Sequence, residues 1–291
     1  MKAIYKRELR SYFTSMIGCA FAAFLTVIGG VYFMVYNLMS GYPYFSYSLS
    51  GVIFAVLITV PVLSMKCFAE ERKNKTDQLL LTSPVSLTKI ILGKYFAMIT
   101  VFAMPCLIYC LFPLIIKFHG NAHLLVDYSS ILAFYLLGCV FIGIGMLLSS
   151  LTESPVIAAI STFGVLFFLY MLDNLLSYIP TSAPSGVIIT ILILSLAAGL
   201  IFHITKNQII AGTVEIAGAV ISIAVYFIKS SVFENFIHDI LEHFVLTGVF
   251  YNFAQNYIFD IGGLLYYLRH HSFYFLDDTD ISEKTMELGG L

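Results

Sequence analysis

Seven long apolar runs, separated by short polar segments, constrain the fold of this 291-residue chain more than any other feature. A helix needs about 20 mostly apolar residues to cross the hydrocarbon core of a bilayer. The runs are Met16–Leu38, Ser50–Phe68, Ile90–Ile116, Ser129–Leu151, Pro155–Ser177, Gly186–Ile204 and Ile209–Ile228. An eighth run begins near Phe259 and loses its apolar character after Leu268. The sequence therefore predicts an all-α integral membrane protein, a polytopic bundle of about seven transmembrane helices with a degenerate eighth.

Composition excludes several other classes of protein. Hydrophobic residues make up 59% of the chain and charged residues only 11%, whereas soluble domains carry about 25% charged residues. The net charge of −2 gives no bulk attraction to nucleic acid, so no nucleic-acid partner is expected. The five cysteines are scattered over apolar runs without a C-x-x-C pair, and we expect neither a metal site nor a disulfide framework.

Lysine and arginine residues collect on one side of the predicted bundle. Four precede the first run and six lie around the loop between the second and third runs, whereas the opposite side has only Lys117 and Lys229. The two groups are Lys2, Lys6, Arg7 and Arg10, and Lys66, Arg72, Lys73, Lys75, Lys89 and Lys94. Because cytoplasmic segments carry the excess of basic residues, this pattern predicts a cytoplasmic N-terminus in a multi-pass inner (plasma) membrane protein. An amphipathic segment at about 229–257 is then predicted on the outer surface.

Two further features lie within the predicted helices. Gly18, Ala22, Thr26 and Gly30 recur every four residues in the first helix, a spacing that favours close helix packing within or between subunits. Asp173 and Glu215 are acids inside predicted helices, and such acids suggest functional sites in membranes. Both also lie near an interface, where water can solvate them. Proton coupling through Glu215 in a secondary transporter therefore remains open as an alternative.

The charged loop between the second and third runs predicts a helical hairpin. Residues from Glu70 onward have good helix propensity and would carry the second helix beyond the bilayer. Pro84 would end that helix because proline disfavours helix at the preceding residue. Ser86 is a suitable N-cap for a returning helix that starts at Leu87. The leucines at 79–81 would be exposed near the tip, and exposed apolar residues rimmed by charge favour a protein docking surface.

The stretch "AEERKNKTDQLLLTSPVSLTKIILGKYFA" resembles the signature loop of ABC-2 type transporter permeases, and most closely the gliding-motility-associated branch. The matching residues are Glu70, Glu71, Thr76, Leu79, Leu80, Leu81, Thr82, Pro84, Val85, Ser86, Leu92, Gly93 and Lys94. Asn74 and Lys75 stand where the family often has glycine, and Gln78 replaces its usual glutamate. The segment "YKRELRSYFTS" resembles the interfacial elbow helix of the family. The stretch "FVLTGVFYNFAQNYIFDIGGLLYYL" resembles the family's segment before the last helix.

The resemblance implies the permease subunit of an ABC transporter. Its partners would be a second permease subunit in a homo- or heterodimer, membrane lipid, and in some systems an extracytoplasmic auxiliary protein. A separate ATPase subunit would bind ATP and magnesium. Glu70, Glu71, Arg72, Thr76, Leu79, Leu80, Leu81, Pro84 and Ser86 would form the coupling element, a hairpin at about 69–89. The chain carries no Walker motif, because Thr88 stands where the first glycine before Gly93-Lys94 is needed. The chain itself is therefore not expected to be an enzyme.

The resemblance also defines the predicted domain and its alternatives. A single transmembrane domain is expected over 1–276, followed by a polar tail at 277–291. After Leu268, a one-base shift with synonymous codons reads as an apolar stretch ending in basic residues, so the tail is either frameshifted or naturally divergent.

An intramembrane protease is disfavoured because the helices offer no paired catalytic residues at membrane depth. A membrane anchor doing mechanical or signalling work with an ATPase stays open beside the transporter.

Overall fold

The computed structural model describes residues 1–76, 86–120, 122–176, 178, 182–205, 208–228, 234, 238, 241–242 and 244–269. Among these residues every regular element is helical. The first five helices are α1 (Lys2–Thr14), α2 (Ile17–Tyr32), α3 (Phe45–Ser64), α4 (Ala69–Lys73) and α5 (Leu87–Tyr109). The others are α6 (Phe112–His119), α7 (Leu124–Ser150), α8 (Pro155–Leu176), α9 (Ala183–Thr205), α10 (Gln208–Ile228) and α11 (Leu246–Ala254), and residues 261–269 are also helical.

Five helical stretches among the described residues are long and apolar enough to cross a membrane. They are Ile17–Met39, Phe45–Lys73, Leu87–Phe118, Leu124–Ser150 and Pro155–Leu176. The first of these continues α2 through a π-helical segment, Phe33–Met39. The predicted sixth and seventh runs form the helices α9 and α10. The all-helical fold is thus confirmed with five candidate spans, while seven crossings and the interfacial position of α1 stay predictions.

The chain divides into two compact units, Met1–Phe168 with the residues from Leu246 onward, and Leu169–Val245. In the first unit, α3 packs against α2 and α7, and α5 packs against α1, α2 and α7. The helix α11, which forms the end of the predicted outer segment, packs against α3 and α7 and buries Phe250 and Phe253. In the second unit α9 packs against α10, with Ala183 and Val187 at their contact with Val225 and Tyr226.

Two glycines allow aromatic rings to approach helix backbones in the first unit. A Cβ atom at Gly138 would lie 2.1 Å from Cε1 of Phe102, and one at Gly29 would lie 2.4 Å from Cε1 of Tyr109. The Tyr109 hydroxyl donates a hydrogen bond to the Leu25 carbonyl beside it. Because real Cβ atoms do not approach so closely, any larger residue at either position must displace a fully buried ring.

Two helices begin five residues before the predicted runs. The helix α3 starts at Phe45 instead of Ser50, and α7 starts at Leu124 instead of Ser129. Each added turn contains polar residues that a hydropathy pattern assigns to a loop. Ser46 and Asp127 are nevertheless fully buried, because each finds a hydrogen-bond partner on a neighbouring helix.

Candidate functional site: the start of the charged loop

The short helix α4 begins the charged loop, and a side chain from another helix caps its N-terminus. The backbone N–H groups of Phe68 and Ala69 donate to Oγ of Ser149 at 3.2 and 3.1 Å. Ser149 lies in the last turn of α7 and is fully buried. The first N–H groups of a helix have no partner within it. Ser149 therefore fixes the start of the loop to the end of α7.

The C-terminus of α4 corrects the predicted hairpin. The sequence indicated a helix running as far as Pro84, but α4 ends at Lys73. Lys75 adopts the left-handed conformation at φ 55°, its N–H donates to the Arg72 carbonyl, and the Thr76 N–H donates to the Glu71 carbonyl. These two bonds form a Schellman motif, in which the left-handed position favours glycine. Lys75 is one of the two residues that replace the glycine of similar loops.

A buried ammonium group joins α4 to the helices beside it. Lys94, on α5, is only 2% exposed. Its Nζ lies 2.7 Å from Oε1 of Glu71 on α4 and 3.6 Å from Oε1 of Glu8 on α1. It also donates to the Cys67 carbonyl at 2.9 Å and lies 5.3 Å from the centre of the Phe68 ring. A single cation therefore contacts α1, α4 and the turn between α3 and α4.

Arg7 completes what we call the loop-end network, defined by Arg7, Glu8, Glu71 and Lys94. Its guanidinium group pairs with Glu8 and lies 3.3 Å from Oε1 of Glu71. Two carboxylates thus face two cations, and all but Arg7 are largely buried. Desolvating a charge is costly, and removing one partner of a buried pair costs about 3–5 kcal/mol because the other charge stays buried without compensation. The network consequently resists any separation of α1, α4 and α5.

An open cleft of about 400 Å³ lies beside this network, between α1 and α4. Its lining residues are Arg7, Glu8, Ser11, Tyr12, Lys66, Glu70, Glu71, Asn74 and Thr76. Tyr12 forms the inner end, where its hydroxyl donates to the Leu63 carbonyl at 3.4 Å. Burial, reinforced by nearby Cys67 and the glutamates, raises the pKa of Tyr12 well above its usual range, so the hydroxyl stays neutral.

The predicted coupling residues occupy different environments. The Glu71 side chain is 18% exposed and points into the network, whereas Glu70 is 41% exposed and lies 4.0 Å from Lys66. Arg72 is half-buried, and the exposed Thr76 donates its hydroxyl proton to the Glu71 carbonyl. Leu79, Leu80, Leu81 and Pro84 lie outside the described residues.

Ser86 lies at the predicted helix start. The helix α5 begins at Leu87, and the Ser86 carbonyl accepts bonds from the N–H groups of Lys89 and Ile90. Its side chain, however, makes no capping hydrogen bond. The predicted boundary is confirmed, while the predicted side-chain cap is not formed.

Glu8 and Arg7 were not predicted as site residues. In the sequence, Arg7 served only as an orientation signal, and no role was expected for Glu8. One signal was available: Lys94 lies inside an apolar run, and a cation there requires an acidic partner. The pattern could not identify which acid, because Glu8 and Glu71 are brought to Lys94 by the packing of separate helices.

A second polar cluster, the far-end cluster, lies at the opposite ends of α3 and α7 and consists of Ser46, Asp127 and Ser130. Oδ1 of Asp127 accepts a bond from the Ser46 N–H at 3.2 Å, in the first turn of α3. The hydroxyls of Ser46 and Ser130 donate to the carbonyls of Ala254 and Phe253 at 2.9 and 3.1 Å. Within the described part of the chain, Oδ2 of Asp127 has no hydrogen-bond partner. These bonds hold α3, α7 and α11 together.

Stacked rings cover the same end. The Tyr44 ring lies between those of His123 and Tyr257, with ring centres 4.6 and 4.5 Å apart. Tyr257 has a positive φ of 56°, which is unusual for a bulky residue and costs about 1–3 kcal/mol. The stack therefore offsets backbone strain in the segment that follows α11.

The remaining predicted residues are more dispersed. In the second unit, Asp173 is half-buried on α8 and Glu215 is exposed on α10. In α2, Gly18 is buried against Tyr12, and Ala22, Thr26 and Gly30 are partly buried. The fully inward face of α2 instead carries Phe21, Leu25 and Gly29. Among the described residues, no group of three or more His, Cys, Asp or Glu side chains is arranged to hold a metal ion.

A family profile matches most of the chain. No curated protein matches the chain. The sequence profile of the family described as ABC-2 family transporter protein matches residues 2–233, which include the loop-end network, the far-end cluster and helices α1 to α10. That match spans most of the 291 residues. The chain therefore belongs to the ABC-2 family of transporter proteins, the membrane-embedded permeases of ABC transporters.

Proposed function

We propose that this chain forms the translocation pathway of an ABC transporter and is driven by a separate ATPase subunit that docks on the segment at about 69–89. The observation that carries the proposal is the buried pair of Lys94 and Glu71, at 2.7 Å, directly at the start of that segment. A loop that only connected two helices would not need a buried charge at its base. Where a partner pushes on the loop, such a pair transmits the displacement.

The contacts indicate which helices would move together when the ATPase displaces the loop. The helix α4 follows α3 after a short turn, within the candidate span Phe45–Lys73, and Lys94 on α5 pairs with its Glu71. Glu8 and Arg7 extend the same connection to α1. Closure of the ATPase around ATP and magnesium would therefore move α1, α4 and α5 together, as a rigid body, instead of bending the loop alone.

Several finer features belong to the same proposal. The basic residues of α1 and the loop support a cytoplasmic N-terminus in an inner membrane. A second permease subunit would complete the pathway, and an extracytoplasmic protein is a further candidate partner. One transmembrane domain over 1–276 would include α9 and α10 as membrane-crossing helices. The family match does not distinguish the gliding-motility branch from others, and the loop "QLLLTSPVS" is the feature that favours that branch.

The docking surface is tested by co-purification from cells that express the chain together with an ABC ATPase subunit from the same genome. Replacing Leu80 and Leu81 with aspartate should abolish recovery of the ATPase while the chain remains in the membrane fraction. The matched control places aspartates at Thr14 and Ser15, which are exposed at the end of α1, outside the loop and outside the candidate spans. Recovery of the ATPase with the Leu80 and Leu81 variant would contradict docking through this segment.

A further inference from the structure

The end of α7 lies very close to the end of α3, because a glycine faces the contact. A Cβ atom at Gly145 would lie 2.6 Å from Oγ and 2.8 Å from Cβ of Ser64, the last residue of α3. Real Cβ atoms do not approach other atoms so closely, so a larger residue at this position would displace Ser64. Ser149 follows Gly145 by four residues and therefore lies on the same face of α7. This face meets the turn that joins α3 to α4.

Ser149 serves as the hydrogen-bond acceptor at the start of α4. Its Oγ accepts bonds from the N–H groups of Phe68 and Ala69 at 3.2 and 3.1 Å. Phe68 is 7% exposed, and Ala69 and Ser149 are fully buried. The first N–H groups of a helix find no acceptor within it, and a buried donor without an acceptor is costly. An alanine at position 149 would therefore leave two buried donors without this oxygen.

Two contacts with different helices fix the direction in which α4 leaves the bundle. Ser149 of α7 holds its start, and Lys94 of α5 holds its middle through Glu71 at 2.7 Å. If the contact with Ser149 is removed, α4 is held by the turn after α3 and by Lys94, and it can pivot about that side chain. The direction of α4 matters because the chain continues from it directly into the predicted docking leucines.

We propose that Ser149 is a positioning residue for the docking segment at about 69–89. Ser149 is fully buried, so it does not contact the ATPase and acts through α4. By holding the start of α4, it keeps the segment in the orientation that binds the ATPase. A surface that already has its binding orientation binds more tightly, because less conformational freedom is lost on association. The inference rests on the proposed function, since it requires docking through this segment.

The test compares two neighbouring serines that are equally buried. Ser150 is also fully buried, and its hydroxyl donates to the Leu147 carbonyl of its own helix at 2.7 Å. Each variant is placed in lipid nanodiscs and titrated with the purified ATPase subunit that co-purifies with the native chain. S149A should raise the dissociation constant at least about fivefold, whereas S150A should bind like the native chain. S149T keeps a hydroxyl acceptor and should also bind like the native chain.

Two further measurements separate positioning from general loss of stability. The variant D127A removes a hydrogen-bond acceptor in the far-end cluster. It should lower the melting temperature by about 2–6 °C, as S149A should, but it should leave the affinity for the ATPase unchanged. Hydrogen exchange at the N–H groups of Phe68 and Ala69, measured on the chain alone, should be faster in S149A than in the native chain and in S150A.

The outcomes distinguish this inference from the proposed function. Native affinity in S149A, together with faster exchange at the start of α4, would overturn the positioning role of Ser149. An equal loss of affinity in D127A would also overturn it, since Ser149 would then act only through stability. The variant L80D/L81D, titrated in the same way, tests docking itself. Native affinity in that variant would contradict the proposed function and this inference together.

Discussion

The loop-end network and the far-end cluster both bury carboxylates, but they stabilise them differently. At the loop end, Glu8 and Glu71 face the cations Lys94 and Arg7. At the far end, Asp127 accepts backbone N–H bonds at the start of α3, and no described lysine or arginine pairs with it. A carboxylate at a helix N-terminus is stabilised by the helix dipole. The comparison teaches that helices are joined by opposite charges at the loop end and by hydrogen bonds at the far end.

The largest difference should come from removing the central cation. Replacing Lys94 with methionine should lower the free energy of unfolding by about 3–5 kcal/mol, because Glu71 and Glu8 lose their shared partner while they remain buried. Thermal unfolding of the purified chain in detergent measures this effect. The matched control is Lys89→Met, an exposed lysine on the same helix, which should change stability by less than about 0.5 kcal/mol. Adding Glu71→Gln to Lys94→Met should recover part of the loss.

The far-end cluster should respond far less to loss of charge. Replacing Asp127 with asparagine keeps an acceptor for the Ser46 N–H and removes a buried charge, so stability should change by less than about 1 kcal/mol. Asp127→Ala removes that acceptor and should cost about 1–3 kcal/mol. The same unfolding measurement applies to both. A loss with Asp127→Asn as large as that with Lys94→Met would mean that the two ends are stabilised alike.

The smallest expected effect lies at the end of α4 and has the opposite sign. Lys75→Gly relieves the left-handed conformation and should stabilise the chain by up to about 1 kcal/mol. The same change at Lys73, inside the helix, should destabilise it by about 0.5–1 kcal/mol. Thermal unfolding of the two variants, compared with the native chain, measures the difference. Equal shifts of the same sign would contradict a Schellman motif at this position.

The helices were predicted well because apolar length is a local property of the sequence. The predicted first run ends within one residue of the observed Ile17–Met39, and the predicted fifth run matches Pro155–Leu176 at its start. The starts of α3 and α7 were predicted late, because Ser46 and Asp127 are polar and only tertiary contacts explain their burial. The local hydropathy pattern thus predicts which helices exist. Hydrogen bonds between residues far apart in the sequence determine where α3 and α7 begin.

The site was predicted in part. Its location in the loop from Glu70 onward came from charge pattern and resemblance, and the start of α5 at Leu87 was identified correctly. The docking roles of Glu70, Arg72 and the leucines stay predictions. The network itself was missed, because Glu8 and Lys94 lie on separate helices and their contact depends on how α1 crosses α5. Arg7 was counted only among the basic residues that indicate orientation, so its pairing with Glu8 and Glu71 was also missed.

The position of Lys94 in the chain has a consequence for biogenesis. Both acids of the loop-end network, Glu8 and Glu71, are synthesised before their shared cation. A nascent chain emerges N-terminal part first, so α1 and α4 reach the membrane while the two carboxylates still lack the ammonium group that holds them together. Until α5 has left the ribosome, only the half-exposed Arg7 can join the two acids, and the buried contacts with Lys94 form afterwards. The loop-end network of the permease is therefore completed only after α5, the helix that follows the loop, has been synthesised.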